Sequence, residues 1–302
     1  MPVKRTRGIL IVAMVLTLMI VCVGYTGAAA KKEQYKIGLN NFGQANFFAR
    51  IGRDSMIDEV KKLGHVSIST VTDTVTARMA AIENLIAQGC DAILIQEGDI
   101  KMVEPVLREA KKKGIVIVSV DSGTSELADI VVESNNWILG VMASTYLLNK
   151  LDGHANIVEI YNDIGQMIRM RRKMLHGVMS EYPNSKIIAG FTYAWPDFFP
   201  DAKAKMEAVL QANPKKGSVN AVFATFDGVG TAAAQAIREA GRQDECIVVG
   251  IDGDPAAYEE MKRSDSPFAA TVAQDPDMIA RTAVRKAVAL LDGDKLAAGH
   301  YY

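Results

Sequence analysis

The run CIVVGIDGDP at 246–255 is the feature that most constrains what this chain can fold into. Residues 247–251 are apolar and mostly β-branched, with one glycine and no polar alternation, which predicts a strand buried on both faces in a parallel sheet. Asp252 falls at the carboxyl end of that strand, where open α/β sheets carry their ligand crevice, and Gly253, Asp254 and Pro255 then break the chain. A near-twin, IVIVSVDSG at 115–123, again runs a short apolar strand into an aspartate, Asp121, followed by Ser122 and Gly123. A lone aspartate in such a place caps a helix or starts a turn. A matched pair, one in each half of the chain, predicts two lobes whose aspartates face one cleft.

The 302 residues, 49% of them hydrophobic, are enough for two cores. From Gln34 onward short apolar runs alternate with longer amphipathic segments, the pattern of β-α units on a parallel sheet. The first half predicts strands at 35–39, 66–71, 92–95, 115–120 and 130–132. Its helices span 47–63, 75–88 and 102–113, each ending near a glycine: Gly64, Gly89 and Gly114. The second half repeats the scheme, with strands at 156–160, 186–191, 219–225, 247–251 and 269–272 and helices over 167–182, 202–213, 231–240 and 256–263. The fold class that follows is α/β, two similar doubly wound parallel-sheet lobes joined by a hinge. The join falls at the polar tetrad Glu133-Ser134-Asn135-Asn136, before a helix over 137–150. A last helix over 278–291 has no strand partner left in the second lobe and is expected to cross back onto the first. The expected lobes are therefore 31–134 plus 275–295, and 135–274 plus 296–302, the final strand being incomplete.

Residues 1–30 follow the grammar of a secretory signal: Lys4, Arg5 and Arg7, an apolar run over 9–23, then small residues ending in Ala28-Ala29-Ala30. Cleavage there leaves Lys31 as the first residue of an exported, periplasmic protein. Cys22 lacks the small neighbour of a lipidation site and belongs to the discarded segment. Those first residues hold three cations and no acid, so the formal charge of −1 becomes −4 without them, which argues against nucleic acid as a partner. Cys90 and Cys246 each open a strand in a different lobe and are expected as buried free thiols. His65, His154, His176 and His300 show no metal-ligand spacing, and no G-x-S-x-G elbow is present, so no metal and no catalytic residue is assigned.

Several segments carry candidate binding chemistry. Asn46-Phe47-Phe48 follows the first strand, and rings at the mouth of a sheet stack on a sugar while amides bond its hydroxyls. The same rings also serve to staple the first helix, and one ring for each job is the expectation. IRMRRK at 168–173 places four cations early in a helix, against its dipole, which calls for a compensating role. Arg172 is expected to point into the cleft and Arg169 and Lys173 to be solvated. Tyr193, Trp195, Phe198 and Phe199 crowd one loop between strand and helix, more a ligand wall than core. Gly228-Val229-Gly230-Thr231-Ala232-Ala233 matches the G-x-G-x-x-A dinucleotide fingerprint, but its strand does not open a fresh nucleotide-binding unit, and the polar loop Gln243-Asp244-Glu245 stands where the fingerprint would look for an acid at a strand end. No cofactor is assigned.

With these residues assembled, the sequence resembles the periplasmic sugar-binding proteins of the ribose-binding type, which feed ABC importers. The resemblance runs from 35 to about 296 and rests on NFF at 46–48, VSVDSG at 118–123, ESNN at 133–136, AVFATFDGVGTAAAQAIREAG at 221–241, VVGIDGDP at 248–255 and AATVAQDP at 269–276. It implies a type I periplasmic binding fold, two lobes joined by three crossings and closing on a sugar by hinge bending. It also implies a monomer whose partners are a small sugar or polyol and a membrane permease, with no enzymatic activity. By position, the stacking phenylalanines resemble Phe47 and Phe48, the acceptor aspartates Asp121 and Asp252, the cleft arginine Arg172 counted back from Gly177, and the closing glutamine Gln274. An aromatic of the second lobe falls among Trp195, Phe198 and Phe199. The chain departs from ribose binders at Ser122, where an arginine is usual, at Phe226, where an asparagine is usual, and at Ala45-Asn46, where an asparagine and a proline are common. Ser122, Phe226 and Asn46 are therefore expected to tune the site toward another pentose, a hexose, a polyol or a modified sugar. The same lobes also serve sensing through a chemoreceptor or histidine kinase, and a nicotinamide-dependent oxidoreductase is the enzyme alternative.

Overall fold

In the computed structural model, which describes residues 32–296 and 300–301, the apolar runs form strands and the amphipathic segments between them form helices. The expected export segment, Cys22 included, and Lys31 after it lie outside the described residues. The first half supplies β1 (Lys36–Phe42), α1 (Phe47–Lys62), β2 (Val66–Thr72), α2 (Val75–Ala87), β3 (Ala92–Gln96), α3 (Glu104–Lys112), β4 (Val116–Val120) and β5 (Ile130–Val132). After α4 (Asn136–Lys150) come β6 (Asn156–Tyr161), α5 (Gln166–Met179), β7 (Lys186–Thr192), α6 (Phe198–Ala212), β8 (Ala221–Ala224), α7 (Asp227–Glu239), β9 (Ile247–Asp252), α8 (Pro255–Lys262), β10 (Phe268–Ala273), α9 (Pro276–Leu291) and a two-residue β11 (His300–Tyr301).

All the pairings are parallel, in two sheets. The first has the order β11-β5-β4-β3-β1-β2 and the second β10-β9-β8-β6-β7, so each lobe winds its first five strands in the same order. Central strands such as β3, β8 and β9 are buried almost throughout because helices cover both faces of each sheet. In the first lobe α1 and α9 pack on one face through Phe48, Met56, Val60, Ala283 and Val284, and α2 and α3 on the other through Ile82, Leu85 and Leu107. In the second, α4 packs Leu139, Ala143 and Leu147 on one face while α6 and α7 cover the other. Cys90 and Cys246 are free and buried, and burial pushes their thiols up to about 11 and about 12.

Three of the differences from expectation have a clear physical reason. Helix α6 begins at Phe198 rather than 202, because Pro200 falls in the first turn, where no amide hydrogen is needed. Helix α7 begins at Asp227, directly after β8, since its glycines continue the helix instead of delaying it. The end of the chain, assigned above to the second lobe, pairs with the first: His300 and Tyr301 lie beside Val131 and Val132 of β5. Once α9 has crossed back, the open edge of β5 is the backbone ladder within reach, so His300 and Tyr301 do not extend the second sheet.

Candidate functional site

Strand ends from both sheets meet at one cavity of about 560 Å³ counted out to its mouth, within the range of small-molecule sites. Phe42 ends β1, Glu97 and Asp121 follow β3 and β4, and Asn46 and Phe48 come from the start of α1. From the second lobe come Asn162, Met167, Arg171, Tyr193, Trp195, Phe226, Asp252 and Gln274. Asp121 and Asp252 thus line the same space from opposite lobes, as the paired strand ends predict. Both, and Glu97 with them, have positive φ, +45°, +136° and +56°, a conformation that side-chain-bearing residues seldom adopt.

The second-lobe wall is organised by Arg171. It is buried and donates from Nε to Asn136 Oδ1 at 2.8 Å, and from Nη1 to the Thr225 carbonyl at 2.8 Å and to Asp252 Oδ1 at 3.0 Å. Gln274 Nε2 donates to the same Asp252 oxygen at 2.7 Å. Burial pushes the Asp252 carboxyl up to about 7 against the pull of Arg171. Asp227 stands behind this wall. Its Oδ2 accepts from the Gly253 and Asp254 amides at 2.9 and 2.8 Å and from the Thr271 hydroxyl at 2.8 Å, which fixes the loop after β9.

The first-lobe wall is held from behind by Arg78, which donates to Asn40 Oδ1 and to the carbonyls of Gln96 and Glu97 at 2.7–2.8 Å. The Glu97 carboxylate accepts one bond from Asn46 Nδ2 at 3.3 Å, and burial, with the charge of Asp121, pushes it up to about 8. Asn46 also caps α1, its Oδ1 accepting from the Ala49 amide at 2.6 Å.

Rings close the sides. Trp195 stacks on Phe42 of the opposite lobe, centroids 6.4 Å apart and planes within 10°, and on Phe198 at 5.8 Å. Phe198 in turn meets Phe226 edge-on at 5.0 Å. Gly43 makes the Trp195 approach possible: with φ at +80°, a Cβ there would stand 2.3 Å from the indole. Two polar contacts also join the lobes at the rim. Arg169 Nη2 donates to Asp99 Oδ2 at 2.6 Å, and the Thr124 amide and hydroxyl donate to Gln166 Oε1 at 2.7 and 3.2 Å.

Of the residues singled out from the sequence, Asn46, Phe48, Asp121, Trp195, Phe226, Asp252 and Gln274 line the cavity; Phe47, Ser122, Arg172 and Phe198 are not among its lining residues. Phe47 is half-buried at the first turn of α1, so of the two rings only Phe48 reaches the cavity. Ser122 is buried and donates its hydroxyl to the Glu97 carbonyl at 2.6 Å, bracing the neighbouring loop. Arg172 is corrected to Arg171. One step along a helix turns a side chain by about 100°. Arg172 accordingly points to Glu159, donating at 2.6 and 3.2 Å with its guanidinium over the Tyr161 ring. Arg169 bridges to the other lobe instead of being solvated. Phe198 backs Trp195 as a second ring layer. The glycines of the G-x-G-x-x-A run serve packing, since a Cβ on Gly228 would stand 2.5 Å from Phe226 and one on Gly230 2.8 Å from Phe268.

Sequence reasoning missed Phe42, Glu97, Asn162, Met167 and Arg171, whereas Tyr193 lines the cavity as its place in the aromatic loop suggests. For Glu97 a signal was present: AILIQEG at 92–98 is again an apolar strand, an acid and a glycine.

Residues 37–295 match the family model described as the periplasmic binding protein domain. The ribose import binding protein of Bacillus subtilis is 28% identical over 272 residues, covering 89% of this chain and 85% of that protein. The xylitol-binding protein of Mycolicibacterium smegmatis is 26% identical over 307 residues, covering 100% of this chain and 85% of its own. Among solved structures, an ABC transporter solute binding protein from Agrobacterium vitis with bound allitol superposes with a TM-score of 0.84 at 29% identity, over 89% of this chain and 93% of that one.

Proposed function

Because the chain belongs to the periplasmic binding protein family, we infer that it captures a sugar or polyol between its lobes and delivers it to the permease of an ABC importer. The observation that carries this is a set of buried polar atoms without a partner in the cavity wall: Asp121 Oδ1, Trp195 Nε1 and Gln274 Oε1. Leaving such atoms unpaired costs about 1–3 kcal/mol each, and a polyhydroxy molecule supplies what they lack, donors for two and an acceptor for the indole. Asn46, Phe48, Phe226 and Asp252 complete the proposed site, together with Arg171 and Glu97. Rings then cover the apolar face of the solute while carboxylates and amides take its hydroxyls.

Within this reading the lobes, 32–134 with α9 and 135–274, close on the solute about their crossings, and the rim contacts hold the closed form. Residues 1–30 direct export and are removed, placing the mature protein in the periplasm, and the protein performs no catalysis. A panel of pentoses, hexoses and polyols, with their amino derivatives, tests the reading by thermal shift: at least one raises the melting temperature, and no shift across the panel overturns it.

A further inference from the structure

Helix α4 is apolar on two faces, and only one of them is covered. Its inner face packs Leu139, Ala143 and Leu147 into the core of the second lobe. Its outer face carries Trp137, Ile138, Val141, Met142 and Tyr146, each with 38–54% of its surface exposed, so five of the twelve large apolar side chains exposed among the described residues stand on this one helix. No charged residue occurs from 136 to 149, and Lys150 comes only at the end. The outward faces of other helices are charged, with Asp54, Asp58 and Lys61 on α1 and Arg108, Glu109 and Lys112 on α3. A helix that is apolar all round belongs in an interior, and a contiguous apolar patch left exposed marks a contact with another molecule.

The shape and charge of this face select its partner. The outer side chains fall in two rows at intervals of four, 137–141–145 and 138–142–146, the ridges that interlock when two helices pack face to face. A shallow groove runs along the last turns, lined by Val141, Met142, Thr145, Tyr146, Asn149 and Lys150. A charged partner would bury its ions against a face that offers no counter-charge before Lys150, which is costly; α4 itself presents an uncharged face of the same length. Side chains of this size, exposed to this degree, leave on the order of 100 Å² each to water, so two copies of the face withdraw on the order of 1,000 Å², the lower bound for a specific interface. We propose that α4 is a homodimer interface: two copies of this chain pack their α4 helices antiparallel about a two-fold axis near Val141 and Met142, in place of the monomer that the family resemblance implies. Such a contact is self-complementary and closes on itself, so assembly stops at two. No residue from 136 to 150 lines the cavity, so pairing through α4 leaves the cavity free.

Sedimentation velocity of the exported protein, without solute and over about 1 to 500 µM, tests this. The expected result is a reversible monomer–dimer equilibrium with a dissociation constant on the order of 10 µM, as suits an interface at the small end of the range. Met142→Lys brings two like charges together at the axis and weakens pairing by about tenfold or more. Met142→Leu, which keeps volume and polarity, changes it by about threefold at most. Met278→Lys, at a methionine of α9 that is 58% exposed, leaves it unchanged. A cooperative melt of each variant at about 1 µM, where the chain is monomeric on this scale, shows that it folds. A chain that stays monomeric to the top of the range overturns the proposal and gives the face to a partner of another kind. A dimer that survives Met142→Lys, or that Met278→Lys disrupts as strongly, overturns it as well by placing the contact elsewhere. None of these outcomes touches the solute-binding reading, which rests on the cavity.

Discussion

Gly140 of α4 lies so close to Arg171 of α5 that a Cβ on the glycine would stand 2.8 Å from both the Cα and the carbonyl oxygen of the arginine. The position of the cleft arginine is thus set by a helix–helix contact with no room for a methyl group. Its guanidinium then reaches three partners on three different segments, Asn136, Thr225 and Asp252.

Gly140→Ala is expected to force α4 and α5 apart and to destabilise the protein by about 1–3 kcal/mol, the usual cost of overpacking. Solute affinity falls with it because Arg171 is displaced. Urea unfolding and calorimetry read the two effects, and unchanged stability with unchanged affinity would show that the contact yields without cost.

Arg171→Met and Arg172→Met separate the two adjacent arginines. The first leaves Asp252 buried beside empty acceptors and is expected to cost about 3–5 kcal/mol. The second removes a partly exposed ion pair whose carboxylate, Glu159, still has His176 at 2.9 Å, and costs about 1 kcal/mol or less. Equal losses in chemical denaturation would contradict the assignment of Arg171 to the cleft.

Trp195 and Trp137 are the only tryptophans, one in the cavity wall and one on α4 with 39% of its surface exposed. A solute that meets the Trp195 indole changes its emission, and Trp137→Phe keeps the whole of that change. Trp195→Phe abolishes it and weakens binding by about two- to tenfold, the range of one neutral hydrogen bond.

Stability should fall on both sides of mildly acidic pH. Burial raises Glu97 and Glu133 to about 8 and Asp252 to about 7, so the unliganded folded protein holds protons there that the unfolded chain has lost. That contribution is complete below the ordinary carboxylate range and is lost as pH climbs through 7 and 8. Glu59 and Asp277 run the other way. Held down by Arg285 and Arg281 respectively, they contribute above their ordinary values and lose that contribution as pH falls. Urea unfolding at pH 5.5 and 8.5 is expected to give the higher stability at 5.5, with a smaller difference in Glu97→Gln. A profile that rises between those two values would refute the sign.

The rim contact between Arg169 and Asp99 joins the lobes at 2.6 Å with a third of the arginine side chain exposed. Arg169→Ala is expected to speed solute release by about two- to fivefold, with little change in association, as befits a partly solvated pair. High salt shrinks the difference between wild type and variant in a stopped-flow release experiment.

Reading the chain alone was enough for its strands, their parallel pairing in two tandem units, and the meeting of Asp121 and Asp252 at one cavity. Each of these follows from local pattern: a β-branched apolar run announces a doubly covered strand, and an acid before a glycine marks its carboxyl end. The same pattern stood at Glu97-Gly98. Which of two neighbouring arginines enters the cleft lay beyond such reading, because it depends on the rotational setting of α5, and that is imposed by Gly140 across a helix pair. So did the use of Ser122 as a brace, the stacking of Phe42 on Trp195 from opposite lobes, and the pairing of His300–Tyr301 with β5. These are contacts between segments far apart in sequence, and no periodicity in either segment encodes where the other comes to rest. Tertiary packing alone decides them.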